Sequence, residues 1–418
     1  MTPWMRFALL PLLLVTFVAR ADAPRSDYPA DIQPIVEQRC MVCHGCYDAP
    51  CQLKLDDWLG LERGGSKKKV YDGTRLLSAN MTRLYEDAHS IAGWRELDFH
   101  PVLDADHPAQ GLMMQMLGLK QEYPLPGPGP LPDTFDFSLG REQACPAPGE
   151  FESYAKKRPY QGMPFGFPAV SDEEHAALTQ WLRNGAPGQP VAARPAAEQQ
   201  RVDAWEQFFN ASDNRSRLMS RYIYEHLFIG DLYFDELADS GWYKLVRSRT
   251  PPGQPIDLIA TRRPYDDPGT ETFYYRLQQR YTARLAKRHM PYALNKARMA
   301  RWRELFLEPD YAVAALPGYQ GKYNANPFIT FEQLPVNARY RFMLDEAHFT
   351  IQAYIKGPVC RGQVALNVID DHFWVAFIKP NPVDPEQSAA FLAREAKHMR
   401  LPQPKGSLVV TLLQWRGY

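Results

Sequence analysis

The sequence Cys40-Met41-Val42-Cys43-His44 limits what this chain can fold into more than any other stretch. Two thiols at this spacing can add to the two vinyl groups on one edge of a porphyrin, and the histidine that follows then falls under the iron. We therefore expect one covalently attached haem c, bound through Cys40 and Cys43, with His44 as the proximal iron ligand. A redox-active cysteine pair and half of a zinc site are alternatives for the same cysteines.

A candidate for the sixth iron ligand is Met163, which lies in a loop of glycine, proline and aromatic residues at 162–166. Residues 171–174, Ser-Asp-Glu-Glu, form a capping box and predict an amphipathic helix directly after this loop. A methionine just before such a closing helix is typical of axial ligation in cytochrome c-like domains. Three other methionines have a spacing that favours packing on a helix: Met113, Met114 and Met116.

The N-terminus has the pattern of a secretory signal peptide. Arg6 precedes an apolar run over residues 7–18, and Ala19-Arg20-Ala21 supplies small residues at a cleavage site. The run is shorter than the roughly 20 residues that a membrane-spanning helix requires. We expect cleavage after Ala21 and a mature protein outside the cytoplasm, with an uncleaved anchor as the alternative.

Four cysteines remain after haem attachment: Cys46, Cys51, Cys145 and Cys360. In an oxidising compartment they can form two disulfides with three possible connectivities. Cys46 and Cys51 are close enough in sequence to bridge, but the residues alone do not decide the pairing.

The expected fold class is α+β. Residues 22–187 are predicted to form an N-terminal, cytochrome c-like, all-α haem domain with long insertions, and residues 188–200 a linker rich in proline and small residues. Residues 201–418 are predicted to form a mixed α/β second domain. Helices are expected at 32–39 (capped by Asp31), 212–235, 297–307 and 340–355, and strands at 256–261, 272–277, 364–368, 373–378 and 408–415.

Charge and motifs exclude several functions. Lys plus Arg equals Asp plus Glu at 48 each, which gives no reason to expect a nucleic-acid partner. No phosphate-binding glycine loop and no H-E-x-x-H zinc-protease motif occurs. Five titratable residues lie in aromatic surroundings, where they are either substrate contacts or ordinary structural residues: His226, His348, His372, Asp345 and Glu346.

Longer stretches of the chain resemble the periplasmic, haem-containing fatty acid cis/trans isomerases. The resemblance covers most of the mature chain and includes residues 40–55 around the haem motif, 220–228 and 262–268. It is strongest over residues 355–374. Family members run longer than this chain, so the resemblance implies a member shortened at its C-terminus.

The resemblance implies a cis-trans isomerase that acts on unsaturated acyl chains of membrane lipids or free fatty acids, without ATP or nicotinamide. It also implies a periplasmic location and transient contact with the membrane surface. Only Cys40, Cys43 and His44 carry over with a defined role. Two other functions fit the haem motif and Met163 equally well: an electron-transfer cytochrome and a haem-based sensor.

Overall fold

The computed structural model of this chain describes residues 26–45, 49–69, 71–72, 75–76, 82–125, 135, 144–191, 193–280, 290–323, 326–356, 390–391 and 393–395. Outside these residues lie the predicted signal peptide, Cys46, Cys360, His372 and the three strands predicted at 364–368, 373–378 and 408–415.

The part of the chain before residue 191 is mainly helical, with helices α1 Gln33–Arg39, α2 Met41–His44, α3 Trp58–Arg63, α4 Ile91–Glu96, α5 Leu112–Glu122, α6 Phe151–Lys157 and α7 Asp172–Arg183. Short 3-10 turns precede several of them. The all-α prediction missed three antiparallel pairs of two-residue strands: β1 Ser26–Asp27 with β6 Gln189–Pro190, β2 Gly65–Ser66 with β5 Phe99–His100, and β3 Tyr71–Asp72 with β4 Arg75–Leu76.

The two helix starts predicted in this part differ in outcome. Helix α7 begins as predicted, because the Ser171 hydroxyl accepts a hydrogen bond from the Glu174 amide at 3.2 Å and the Glu174 carboxylate accepts one from the Ser171 amide at 2.9 Å. The prediction that Asp31 caps α1 is wrong: Asp31 is exposed, and Ile32 occupies the N-cap position without a side-chain cap. A backbone turn onto the Pro29 carbonyl starts this helix instead.

Beyond the linker the chain forms helices α8 Ala196–Phe209, α9 Asn214–Leu227, α10 Lys296–Phe306, α11 Pro327–Thr330, α12 Val336–Asp345 and α13 Ala347–Lys356. They surround a sheet of β7 Asp231–Tyr233, β8 Trp242–Ser248, β9 Tyr274–Arg280 and β10 Pro291–Ala293, in the order β10-β7-β8-β9. Strand β10 runs parallel to β7, and the other neighbours are antiparallel. Helices and small sheets together give the expected α+β class.

Three elements of this second part differ from prediction. The helix predicted over 212–235 ends at Leu227, because the chain turns at Gly230 and continues as β7. The helix predicted over 340–355 is two helices, α12 and α13, which meet at Glu346. The strand predicted at 256–261 is reduced to a single bridge between Ser248 and Leu258.

Separate apolar clusters stabilise the two parts. One contains buried residues between Tyr28 and Ala186, and the larger one contains buried residues between Val202 and Phe349, many of them aromatic. A third, small cluster consists of Leu84, Trp94 and Phe99. Burial of this apolar surface is the main source of stability in such a fold.

The segment 82–87 joins the two parts. The Arg83 guanidinium donates to the Thr261 carbonyl at 2.7 Å, and Arg280 pairs with Glu86 at 3.3 Å. Arg280 also lies over the Tyr85 ring, 4.3 Å from its centroid. Among the described residues, no helix combines the length and apolar character needed to cross a membrane.

Candidate functional site

The structure brings the four predicted site residues together. Cys40, Cys43, His44 and Met163 line a single pocket, although Met163 lies far from the motif in sequence. The empty space within the pocket and its open mouth amounts to about 1370 Å³. Most of the remaining wall is apolar, with contributions from Leu53, Leu55, Val102, Leu112, Met113, Met116, Leu117, Phe165, Phe167 and Val170.

His44 is the last residue of α2 and is held by the loop that follows the motif. Its Nδ1 atom lies 2.8 Å from the Leu53 carbonyl oxygen, and the Leu55 amide donates to the His44 carbonyl at 2.7 Å. A backbone carbonyl can only accept, which assigns the proton to Nδ1 and makes Nε2 the acceptor nitrogen of the neutral ring. A hydrogen bond from the ring nitrogen that does not bind the metal is the usual way in which a protein orients a metal-binding imidazole.

Cys40 and Cys43 lie on adjacent turns of helix. Cys40 lies at the junction of α1 and α2, and burial, with Cys43 and Glu174 nearby, raises the pKa of its thiol to about 12. Cys43 is exposed. Burial therefore keeps the Cys40 sulfur a protonated thiol at neutral pH, and the two cysteines have the spacing that thioether attachment requires.

Met163 lies in the loop between the 3-10 turn Pro159–Gln161 and α7. Its amide donates to the Met116 carbonyl at 3.0 Å, so the loop is bound to α5. The preceding residue must be glycine, because a Cβ at position 162 would lie 2.4 Å from the Lys120 amide nitrogen. These contacts place the Met163 side chain in the pocket wall.

Met113 and Met116 line the same pocket as Met163. Their helical spacing predicted packing on a helix. In the structure, the face of α5 that carries them is the face that lines the pocket. Met114 does not line it. Sequence reasoning could have found this from the one-turn separation of Met113 and Met116, which puts both side chains on one side of the helix.

Three polar side chains of the wall were not predicted. Tyr154 donates to the Gln161 carbonyl at 2.9 Å, and burial raises the pKa of Tyr154 to about 12. Arg39 pairs with Glu174 at 3.0 Å. His100 at the end of β5 is half-buried, and burial lowers its pKa below the ordinary value. No sequence motif marks any of the three.

A disulfide between Cys51 and Cys145 forms part of the wall. The two Cα atoms are 5.5 Å apart, and the bridge spans 94 residues of sequence. It joins the loop that orients His44 to the segment before α6. Of the pairings that the sequence left open, the one between Cys46 and Cys51 is therefore excluded.

Other titratable candidates lie outside the pocket. His226 packs between Tyr222 and Phe342, its Nδ1 lies 2.7 Å from the Tyr222 carbonyl, and burial lowers its pKa. His226 is therefore better interpreted as a structural residue than as a substrate contact. The same holds for Glu346, which pairs with Arg298 at 2.5 Å, and for Asp345, which pairs with Arg301 at 2.7 Å. His348 is exposed.

The donor set of the pocket fits a haem c. It offers two cysteine thiols, one imidazole, several thioether sulfurs and an otherwise apolar wall, which are the groups that such a cofactor requires. Within the described part of the chain, no group of three or more His, Cys, Asp or Glu side chains could hold a bare metal ion.

Comparison with known proteins identifies the family. The family model described as fatty acid cis/trans isomerase (CTI) matches residues 79–418. The match includes Met163 and the whole second part, and it begins after the haem motif. No curated protein and no solved structure matches the chain. Because the family match spans well over half of the sequence, this chain belongs to the fatty acid cis/trans isomerase family.

Proposed function

We propose that this protein is a periplasmic, haem-dependent isomerase that converts cis double bonds in the unsaturated acyl chains of membrane lipids to trans. Cys40 and Cys43 carry the haem, His44 binds its iron, and Met163 occupies the sixth position. No ATP or nicotinamide takes part. The mature protein begins after Ala21 and contacts the membrane surface only transiently.

The family supports the reaction, and the pocket supports the cofactor. The observation that carries the haem proposal is that Cys40, Cys43, His44 and Met163 line one apolar cavity. An electron-transfer role and a sensor role need the same four residues. They give no reason for a family match across the second part of the chain.

Rotation about a double bond needs more than a binding site. A turnover near one per second corresponds to a barrier of about 17 kcal/mol. A peptide bond, which is only partly double, already resists rotation by about 18–20 kcal/mol. When bound, the haem supplies an electron-withdrawing iron that weakens the π bond of the alkene.

The chain's own residues would hold the reactants in place. The hydrogen bond from His44 Nδ1 to the Leu53 carbonyl fixes the direction of Nε2. Leu112, Met116, Leu117 and other apolar side chains of the wall would bind an acyl chain and exclude water. Met163, which would bind the iron, lies on a loop rather than within a helix, so its side chain can move without disrupting an element.

The test is a lipid assay. The purified protein is incubated with vesicles that contain cis-monounsaturated phospholipid, and the trans product is measured by gas chromatography. His44→Ala should give no trans product, whereas His107→Gln, at an exposed histidine away from the pocket, should be as active as wild type. Wild type without trans product would exclude an isomerase, and wild type without a pyridine haemochrome band would exclude the haem.

A further inference from the structure

His100 lines the pocket but has no role in haem attachment or iron ligation. It ends β5 and pairs with Gly65 of β2, which lines the same wall. A Cβ at position 65 would come within 3.4 Å of His100 Nε2. Because residue 65 is a glycine, no side chain at this position covers the ring on the side of the pocket.

The surroundings of His100 are positively charged. Lys67 and Arg95 both lower the pKa of the ring, in addition to burial, while Glu150 and the Pro146 carbonyl raise it. Glu150 pairs with Lys67 at 2.5 Å and accepts from the Ala147 amide at 3.0 Å, so these two charges largely cancel and the guanidinium of Arg95 supplies the remaining positive charge. This corner of an otherwise apolar pocket is therefore suited to an anion.

Two other polar side chains of the wall, Arg39 and Tyr154, already have partners. Arg39 is neutralised by Glu174, and the Tyr154 hydroxyl donates to the Gln161 carbonyl. The Pro146 carbonyl can accept one N–H of a protonated His100. A protonated imidazole has two N–H groups, so the second is available to a ligand in the pocket.

We propose that His100 binds a carboxylate of the molecule that fills this pocket. The inference rests on the proposed function, which offers two sources of that carboxylate. One is a propionate of the haem, and the other is the carboxyl group of a free fatty acid. In either case an ionised carboxylate that enters the cavity beside the ring favours the protonated imidazole, which then donates a charge-assisted hydrogen bond to it.

The test compares His100→Gln, which removes the charge, with His100→Arg, which keeps a cation. His107→Gln, at an exposed histidine outside the pocket, is the matched control. Two properties are measured on the holoprotein. One is the reduction midpoint potential of the haem, and the other is the dissociation constant for palmitoleic acid and for its methyl ester by equilibrium dialysis.

A propionate partner predicts a lower midpoint potential in His100→Gln and recovery in His100→Arg, because a cation beside the porphyrin favours the reduced iron. A substrate carboxylate predicts that His100→Gln weakens binding of the acid about tenfold and leaves the ester unchanged. If both properties match the control, the proposal is overturned. Neither measurement requires turnover, so both test the role of His100 even in a protein that makes no trans product.

Discussion

The Nδ1 atom of His44 and the carbonyl oxygen of Leu53 lie 2.8 Å apart, so the loop after the C-x-x-C-H motif holds the His44 imidazole in the pocket wall. Cys51, two residues before Leu53, is bonded to Cys145. The orientation of the imidazole therefore depends on a cross-link to a segment that is distant in sequence.

Loss of this cross-link should lower stability. Replacing both Cys51 and Cys145 by serine removes a constraint on a long loop of the unfolded chain, and we expect the free energy of unfolding to fall by about 2–5 kcal/mol. Denaturant titration measures the change. Dithiothreitol should destabilise the wild type more than the double variant, because the variant has already lost this bridge and thioethers resist reduction. A double variant as stable as wild type would show that the bridge contributes nothing.

Removal of Met163 should change the iron without releasing the haem. In Met163→Ala we expect covalent haem to be retained and the optical spectrum to lose its low-spin, methionine-ligated form. Met114→Ala is the control, because Met114 lies on α5 but does not line the pocket. If Met163→Ala keeps the wild-type spectrum and Met116→Ala loses it, Met116 is the ligand.

Asp57 should make stability depend on pH. It is fully buried, caps α3 through the Leu59 amide and accepts from the Tyr85 hydroxyl, and burial together with Asp56 raises its pKa to about 7. The folded protein therefore keeps a proton that the unfolded chain loses near pH 4. Stability from this group is lost as pH rises, by up to about 2.5 kcal/mol between pH 5 and pH 8.

Asp57→Asn is close in shape and should abolish that loss when unfolding is measured across the same pH range. Asp213→Asn is a control for which the pH dependence of stability should have the opposite sign. Asp213 caps α9 through the Ser216 amide at 2.9 Å, and hydrogen bonds to Ser216 lower its pKa. Its contribution is present at neutral pH and is lost on acidification. A parallel pH dependence in wild type and Asp57→Asn would contradict the assignment.

Substitution of Lys120 should stabilise the protein. Its side chain is 1% exposed, its Nζ has no hydrogen-bond partner among the described residues, and burial lowers its pKa. We expect Lys120→Met to raise the free energy of unfolding by about 1–3 kcal/mol at pH 7, with a smaller gain as pH approaches 10. Lys156→Met, at a side chain 73% exposed, should have little effect. A destabilised Lys120→Met protein would indicate that the ammonium has an essential partner.

Local rules predicted the site better than the fold around it. Cys40, Cys43 and His44, which line the pocket, and the start of α7 were found from short motifs of fixed spacing. Met163 was inferred from its place before a closing helix, and it does line the pocket. His100 was missed, since only the pairing of β5 with β2 brings it to the wall.

Tertiary contacts explain most of the errors in secondary structure. The periodicity of α9 continues past Leu227, but the chain leaves the helix because the Asp231 amide binds the Met290 carbonyl and a strand begins there. Glu346 ends α12 with its carboxylate buried against Tyr292 and Arg298. Met290 is distant in sequence from Asp231, as are Tyr292 and Arg298 from Glu346. A short stretch of sequence around either helix end therefore does not contain the residues that determine it.

Strands β1 and β6 are antiparallel neighbours, with Ser26 opposite Pro190 and Asp27 opposite Gln189. The polypeptide therefore leaves the first, mainly helical part of the chain at the same place where it enters it. A protein engineer could excise residues 26–190 as one piece whose two ends are already paired, or join those ends and open the chain elsewhere.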